Sequence, residues 1–358
     1  MYGRGSGPPN AKIMVVGEAW GQMEEIKGQS FQGSGGEELS RMLHDAGIMR
    51  SECFITDLVC ARPQHNRIDS WMPKKKKDVT SRHVKMRNLF VDPIIVKGFE
   101  SLIREIKLVR PNIIIAFGGA SLWALTGHEG ILRWRGSQIW TDVEGLDRIK
   151  LIPVVHPNAV LREWSQRKAA VSDLKRVARE KLNSGEYSNI PDWRFTVAPS
   201  FKTAVDILAK LLAEADRVQF VSGKPEVPLW LDFDFETRAG HIDCAGIAWT
   251  ELDALCIPFI SRTGTRSYWT LEEEAEIVYL LYRLLRHPAV FVRGQNLLYD
   301  CQYSYRHWCF IPNVKQDTMI SHHSVFCGLK KSLDYQASLY CDYYVQWKPD
   351  RSAWKVGG

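Results

Sequence analysis

Four apolar runs, each followed by a helical stretch, dominate the first half of this chain. They are Lys12-Ile13-Met14-Val15-Val16-Gly17, Cys53-Phe54-Ile55-Thr56-Asp57-Leu58-Val59, Asn112-Ile113-Ile114-Ile115-Ala116-Phe117-Gly118-Gly119 and Lys150-Leu151-Ile152-Pro153-Val154-Val155. Short continuous apolar runs bounded by glycine or polar residues read as strands buried on both faces. Helical patterns cover 37–46, 99–109 (stopped by Pro111), the start at 121–125, and 158–181. Strands alternating with helices predict a parallel sheet with helices on both faces. Ligands of such sheets bind at the carboxyl ends of the strands.

A stretch of linker composition, 183–191, precedes a second α/β pattern. A short strand is expected at 194–197, and Ser200 can cap a helix over 201–215. Strands at 229–235, 245–249, 254–260 and 289–292 surround a helix that opens at Leu271 and ends near His287. Its acids come first and its bases last, as the helix dipole favours. Asp234 and Glu236 lie two apart on the 229–235 strand and so share a face. Asp300 follows the 289–292 strand. Converging carboxylates bind hard cations such as Mg²⁺ or Mn²⁺, and two such ions about 3.5–4 Å apart clamp both oxygens of a phosphodiester displacement. Phe235 points away from that face and reads as core, whereas Tyr299 and Tyr303 could stack on bases.

A chain of 358 residues suits two domains rather than one core. Its 45% apolar and 25% charged content is that of a globular protein. No apolar stretch approaches the roughly 18 residues of a membrane span, and the N-terminus lacks a secretory pattern. Eight cysteines without CxxC spacing read as reduced, mostly buried thiols of a cytosolic protein. The net charge of +6 suits nucleic acid. Lys74, Lys75, Lys76 and Lys77 form either a solvated loop or a contact to phosphate backbone.

Three ordered motifs in the second half carry a resemblance. They are Asp234-x-Glu236-Thr237, Asn296-x3-Asp300, and the run from Asp317 through Gly328-Leu329-Lys330-Lys331-Ser332-Leu333-Asp334-Tyr335 to Tyr340. Together they resemble the 3′–5′ exonuclease domain of bacteriophage family A DNA polymerases. The resemblance implies an RNase H-like mixed sheet flanked by helices. It implies metal binding by Asp234, Glu236 and Asp300, with Asn296 capping the helix that begins at Leu297. The family's fourth carboxylate, four residues after a Tyr or His, is not found at Tyr340, because position 344 is also Tyr.

In the first half the order Gly17-Glu18-Ala19-Trp20-Gly21-x-x-Glu24-Glu25, Gly28-x-x-Phe31-x-Gly33, Thr56-Asp57-Leu58-Val59-Cys60-Ala61-Arg62-Pro63 and His156-Pro157-Asn158-x-x-Leu161-Arg162 is similar to the uracil-DNA glycosylase superfamily. The resemblance implies a pocket of Glu18, Glu24, Phe31, Asp57 and His156. The first motif would position water, Phe31 would stack on an extruded base, and His156 would stabilise the departing uracil. Arg162 would contact DNA. The iron–sulfur cysteines of the related branch are absent, so no cluster is expected. Trp20 stands where the family has Pro, and Asp57 stands where it has Asn. An amide donates and accepts, whereas an ionised carboxylate only accepts.

The expectation is thus two three-layer αβα domains. Residues 1–182 form a parallel-sheet glycosylase-like domain, 183–191 a linker, and 192–358 a mixed-sheet exonuclease-like domain. The function expected is that of the N-terminal part of a phage replicative polymerase acting on primer-template and single-stranded 3′ ends. It would work in the host cytoplasm, with the polymerase domain in the longer parent chain. The alternatives are a stand-alone repair protein and a non-catalytic DNA-binding fragment.

Overall fold

The computed structural model describes residues 5–73, 75–264 and 266–348. They fall into two compact units. One runs to Ile190 and takes up the chain again from Asp334; the other is Pro191–Leu333.

The first unit is built on β1 (Ile13–Ala19) and β2 (Cys53–Val59), with a small hairpin of β3 (Val84–Met86) and β4 (Leu89–Val91) after them. Then come β5 (Ile113–Phe117), β6 (Ile139–Trp140) and β7 (Lys150–Val154). The sheet order is β2-β1-β5-β7-β6, parallel except for β6. Strand alternation divides the core in two. Ile13, Val15 and Ile115 pack under helices Ser34–Asp45 and Arg167–Glu180; Met14, Val16 and Ala116 pack under Pro93–Val109 and Gly119–Thr126. This is the parallel, helix-covered sheet expected.

Three details differ from expectation. The helix at 158–181 is broken: Pro157–Arg162 ends at Glu163, which leaves the helical region at φ −135°, and Arg167–Glu180 starts afresh. The stretch 183–191 is not a loose linker. Tyr187 is buried, with its hydroxyl 2.9 Å from the Ile139 carbonyl, and Ser188 donates to Glu180. The 334–348 segment packs on the first unit rather than the second. Arg135 donates to Ser338 Oγ (2.7 Å), Gln138 N donates to the Tyr344 carbonyl (2.7 Å), and Gln346 N donates to Ser137 Oγ (3.1 Å). Arg135 is itself buried against Asp173. Composition could not reveal this, because the pairing spans roughly 200 residues and rests on single polar groups.

The second unit adds β8 (Arg194–Val197), a short hairpin of β9 (Phe220–Val221) and β10 (Lys224–Pro225), then β11 (Leu229–Arg238), β12 (His241–Ala248), β13 (Asp253–Pro258), β14 (Val290–Gly294) and β15 (Val314–Asp317). Its sheet order is β15-β14-β11-β12-β13-β8, with β12 antiparallel to both neighbours. This is the mixed sheet expected for the second half of the chain. Leu231, Phe233 and Phe235 face the core beneath helices Phe201–Asp216 and Leu271–Leu285. Ser200 caps the first, as expected. The cysteines depart from expectation: Cys53 and Cys60 are buried, but Cys309, Cys327 and Cys341 lie exposed in helix-end and loop segments. Among the described residues no helix is long and apolar enough to cross a membrane.

Candidate functional site

The carboxyl ends of β1, β2, β5 and β7 meet around a cavity of about 440 Å³. Glu18, Glu24, Phe31, Asp57, His156 and Arg162 all line it, so the six residues singled out from sequence come together. Glu18 is fixed by the Ala120 amide, which donates to its Oε1 at 2.9 Å. Gly118 lets that side chain pass, since a Cβ there would lie 2.5 Å from Glu18 Cδ; its φ of 94° also favours glycine. Glu24 clamps two loops by accepting from Gln32 N (2.8 Å), Gly33 N (3.1 Å) and Gly21 N (3.1 Å). Burial opposes its charge, but these amides together hold its carboxyl below the ordinary value.

Phe31 sits in the left-handed region at φ 55°, a strained setting for a bulky residue. Its ring stacks on His156 with centroids 5.6 Å apart and 21° between planes. Gly36 makes room for it, because a Cβ there would fall 1.8 Å from the Phe31 carbonyl oxygen. Arg50 holds the same carbonyl at 2.9 Å. His156 Nδ1 accepts from Asn158 N at 3.2 Å, so the neutral ring carries its proton on Nε2. Burial lowers the His156 pKa, Arg162 adds to this, and Glu18 and Glu24 oppose without reversing it.

Asp57 is 4% exposed, and burial pushes its carboxyl up to about 7. Ser30 opposes the rise, while the charges of Glu24, Glu18 and Glu105 add to it. Ser30 is placed by Trp20, whose indole N–H donates to its Oγ at 3.0 Å. Trp20 therefore supports this wall through Ser30. Asn66, Ile68, Asn158 and Gln166 also line the cavity and carried no assignment from sequence. Asn158 belongs to the His156-Pro157-Asn158 motif and was the one with a visible signal. Lys75 and Lys77 are exposed, whereas Lys74 and the side chain of Lys76 lie outside the described residues.

In the second unit Asp234 and Glu236 are exposed on one face of β11, as alternation required. Asp300 is buried, and its Oδ1 accepts from the Phe235 backbone amide at 2.7 Å. Burial raises its pKa to about 6, with Asp317 and Glu236 adding repulsion. One Asp300 oxygen is thus committed to β11 backbone. Among the described residues no group of three or more His, Cys, Asp or Glu side chains could hold a metal ion. Glu236 lies close enough for its charge to act on Asp300, and Asp234 shares the Glu236 face of β11. Asn296 does not cap the following helix; it adopts φ 60°, and the helix Leu298–Trp308 begins after Leu297. Asp317 accepts from Asn296 N (3.1 Å) and Leu297 N (2.8 Å) instead. Tyr299 is hydrogen-bonded to Thr237 at 2.5 Å, and Tyr303 packs against the core.

Comparison with known proteins places a family match in the first half of the chain. A family model described as the uracil DNA glycosylase superfamily matches residues 4–180. A type-4 uracil-DNA glycosylase of Saccharolobus solfataricus is 32% identical over 186 residues, covering 50% of this chain and 76% of that protein. A DNA polymerase of Bacillus phage SP01 is 27% identical over 176 residues, which is 49% of this chain and 16% of the polymerase. Among solved structures, Escherichia coli RNase D, an exoribonuclease, aligns at 12% identity with a TM-score of 0.29, over 45% of this chain and 36% of that one.

Proposed function

The chain belongs to the uracil-DNA glycosylase superfamily, and from that premise we propose that its first unit hydrolyses the bond between uracil and deoxyribose in DNA. The observation that carries this reading is the meeting of a neutral donor, His156, with a protonatable carboxyl, Asp57, in one cavity. The base must leave the stack to reach such a cavity. Phe31 would stack on the extruded base. Protonated Asp57 offers one O–H donor and one acceptor, the pair that uracil O4 and N3–H require. This answers the substitution of Asp for the family's Asn. His156 Nε2–H would donate to the uracil oxygen on which negative charge grows as the bond breaks, an oxyanion-type stabilisation. Glu18, held by Ala120, would position the water that attacks the sugar carbon. Arg162, Lys75 and Lys77 would meet phosphate, and His156→Ala should remove the reaction while leaving DNA binding.

The match to the phage polymerase favours a second reading, in which the chain serves a replicative polymerase and the second unit handles single-stranded 3′ ends. Mg²⁺ or Mn²⁺ would be the metal of such a nuclease, with Asp234, Glu236 and the remaining oxygen of Asp300 as the carboxylates on offer. The discriminating experiment is alkali cleavage of a uracil-containing oligonucleotide after incubation with the full chain. Strand breaks at the uracil position, lost in His156→Ala, support the glycosylase. Breaks that shorten the strand from its 3′ end support the second reading.

A further inference from the structure

A second cavity, of about 510 Å³, lies beside the first and differs from it in chemistry. Arg67, Lys75, Arg82 and His83 line it, with Asp69 and Asp78. The two cavities are lined by consecutive residues of one stretch of chain. Asn66 and Ile68 line the first, and Arg67 between them lines the second. Arg67 is extended (φ −119°, ψ 104°) and lies just before the tight helical turn Ile68–Ser70. His65 and Asn66 before it both take left-handed backbone, at φ 54° and 56°. Two such residues in succession store strain of order 1–3 kcal/mol each, which surrounding structure must impose.

His83 supplies an independent observation. Thr80 N donates to its Nδ1 at 2.9 Å, so the neutral ring bears its proton on Nε2. That nitrogen is buried and has no hydrogen-bond partner. A buried unsatisfied donor costs about 1–3 kcal/mol and is relieved by an acceptor. The lining itself carries three cationic side chains, one orphan N–H and two carboxylates, with Asp92 outside it 3.6 Å from Arg82, and the positive excess of the lining suits a singly charged oxyanion.

We propose that this second cavity binds a phosphodiester phosphate of the DNA strand whose base enters the first cavity. The inference rests on the glycosylase reading and deepens it. Base and phosphate of one strand are joined through the sugar, so two cavities lined by consecutive residues would take them side by side. Arg67 and Arg82 would meet the phosphate oxygens, and His83 Nε2–H would donate to one of them. The cavity would thereby set which nucleotide of the strand is extruded.

The test uses the full chain and a single-stranded oligonucleotide containing one uracil, with Kd measured from 50 to 300 mM NaCl. Each lost phosphate contact lowers the slope of log K against log salt by about 0.7 for single strands. Arg67→Gln with Arg82→Gln should lower it by about 1.4 and weaken binding roughly ten-fold near 150 mM salt. Lys107→Gln with Arg110→Gln, the same charge change at the C-terminal end of helix Pro93–Val109 and away from this cavity, should leave the slope unchanged. An unaltered slope in the Arg67/Arg82 variant would overturn the phosphate site even if uracil is released. An equal fall in both double variants would also overturn it, as would a wild-type chain that does not bind the oligonucleotide. Binding with the expected slopes but without uracil release would refute the glycosylase reading alone, leaving a phosphate-binding cavity.

Discussion

Asp57→Asn is the perturbation with the most consequences. Burial moves the Asp57 carboxyl from an ordinary 3.8 to about 7. The difference is about 3 pH units, and at 1.36 kcal/mol each the neutral form is favoured in the fold by about 4 kcal/mol. The unfolded chain loses this proton near pH 4, the folded chain near pH 7. Stability is therefore fullest below pH 4, falls as pH rises from 4 to 7, and levels off above that. About 1.5 kcal/mol of the loss lies below pH 5 and the remaining 2–3 kcal/mol between pH 5 and 8. Asparagine does not titrate, so the variant escapes this loss. Hydrogen exchange of β1 and β2 amides in moderate urea reads the stability of the first unit alone. The variant should gain roughly 2–3 kcal/mol on wild type between pH 5 and pH 8. Uracil release by wild type should fall above pH 7 as Asp57 ionises, about ten-fold per pH unit, while the variant stays flat. A difference between variant and wild type that is the same at pH 5 and 8, or wild-type release that climbs from pH 7 to 9, would refute the reasoning.

Other perturbations test the frame around the cavity. Lys150 and Glu180 form an ion pair at 2.8 Å with side chains 0% and 2% exposed, so Lys150→Met should destabilise the first unit by about 3–5 kcal/mol in urea unfolding. Removing 334–348 strips hydrogen-bond partners from buried Arg135 and from Arg176, which donates to the Cys341 carbonyl at 2.7 Å. That deletion should cost the first unit at least about 2 kcal/mol, read by hydrogen exchange, and unchanged protection would contradict the packing described. Gly36→Ala should displace the Phe31 backbone and abolish uracil release, with a loss of more than about 2 kcal/mol in stability.

The first unit was legible because its strands are buried on both faces and read as continuous apolar runs. The 53–59 run became β2 residue for residue, and the motifs at its strand ends placed all six cavity residues. The second unit was legible as a sheet for the same reason that Asp234 and Glu236 share a face: strand period is local. What failed was non-local. Asp300 has the position in sequence that was expected, and the bond between one of its two oxygens and the Phe235 amide of another element could not be read there. Asn296 has the right residue type for a cap, yet Asp317, 21 residues later, satisfies the freed amides. The return of 334–348 to the first unit depends on Ser137, Gln138 and Arg135, three polar residues with no pattern in sequence. The shift of Asp57 was equally hidden, because it follows from burial and from three surrounding carboxylates rather than from its neighbours in the chain.

The central claim is that the first cavity releases a base, and the identity of the product tests it most directly. The full chain is incubated at pH 6.5 with an oligonucleotide carrying one uracil, and the low-molecular-weight products are resolved by mass spectrometry. Free uracil with an intact abasic strand, absent for His156→Ala, is the result predicted. Deoxynucleoside monophosphates without free uracil, or no product from a strand that is demonstrably bound, would contradict it.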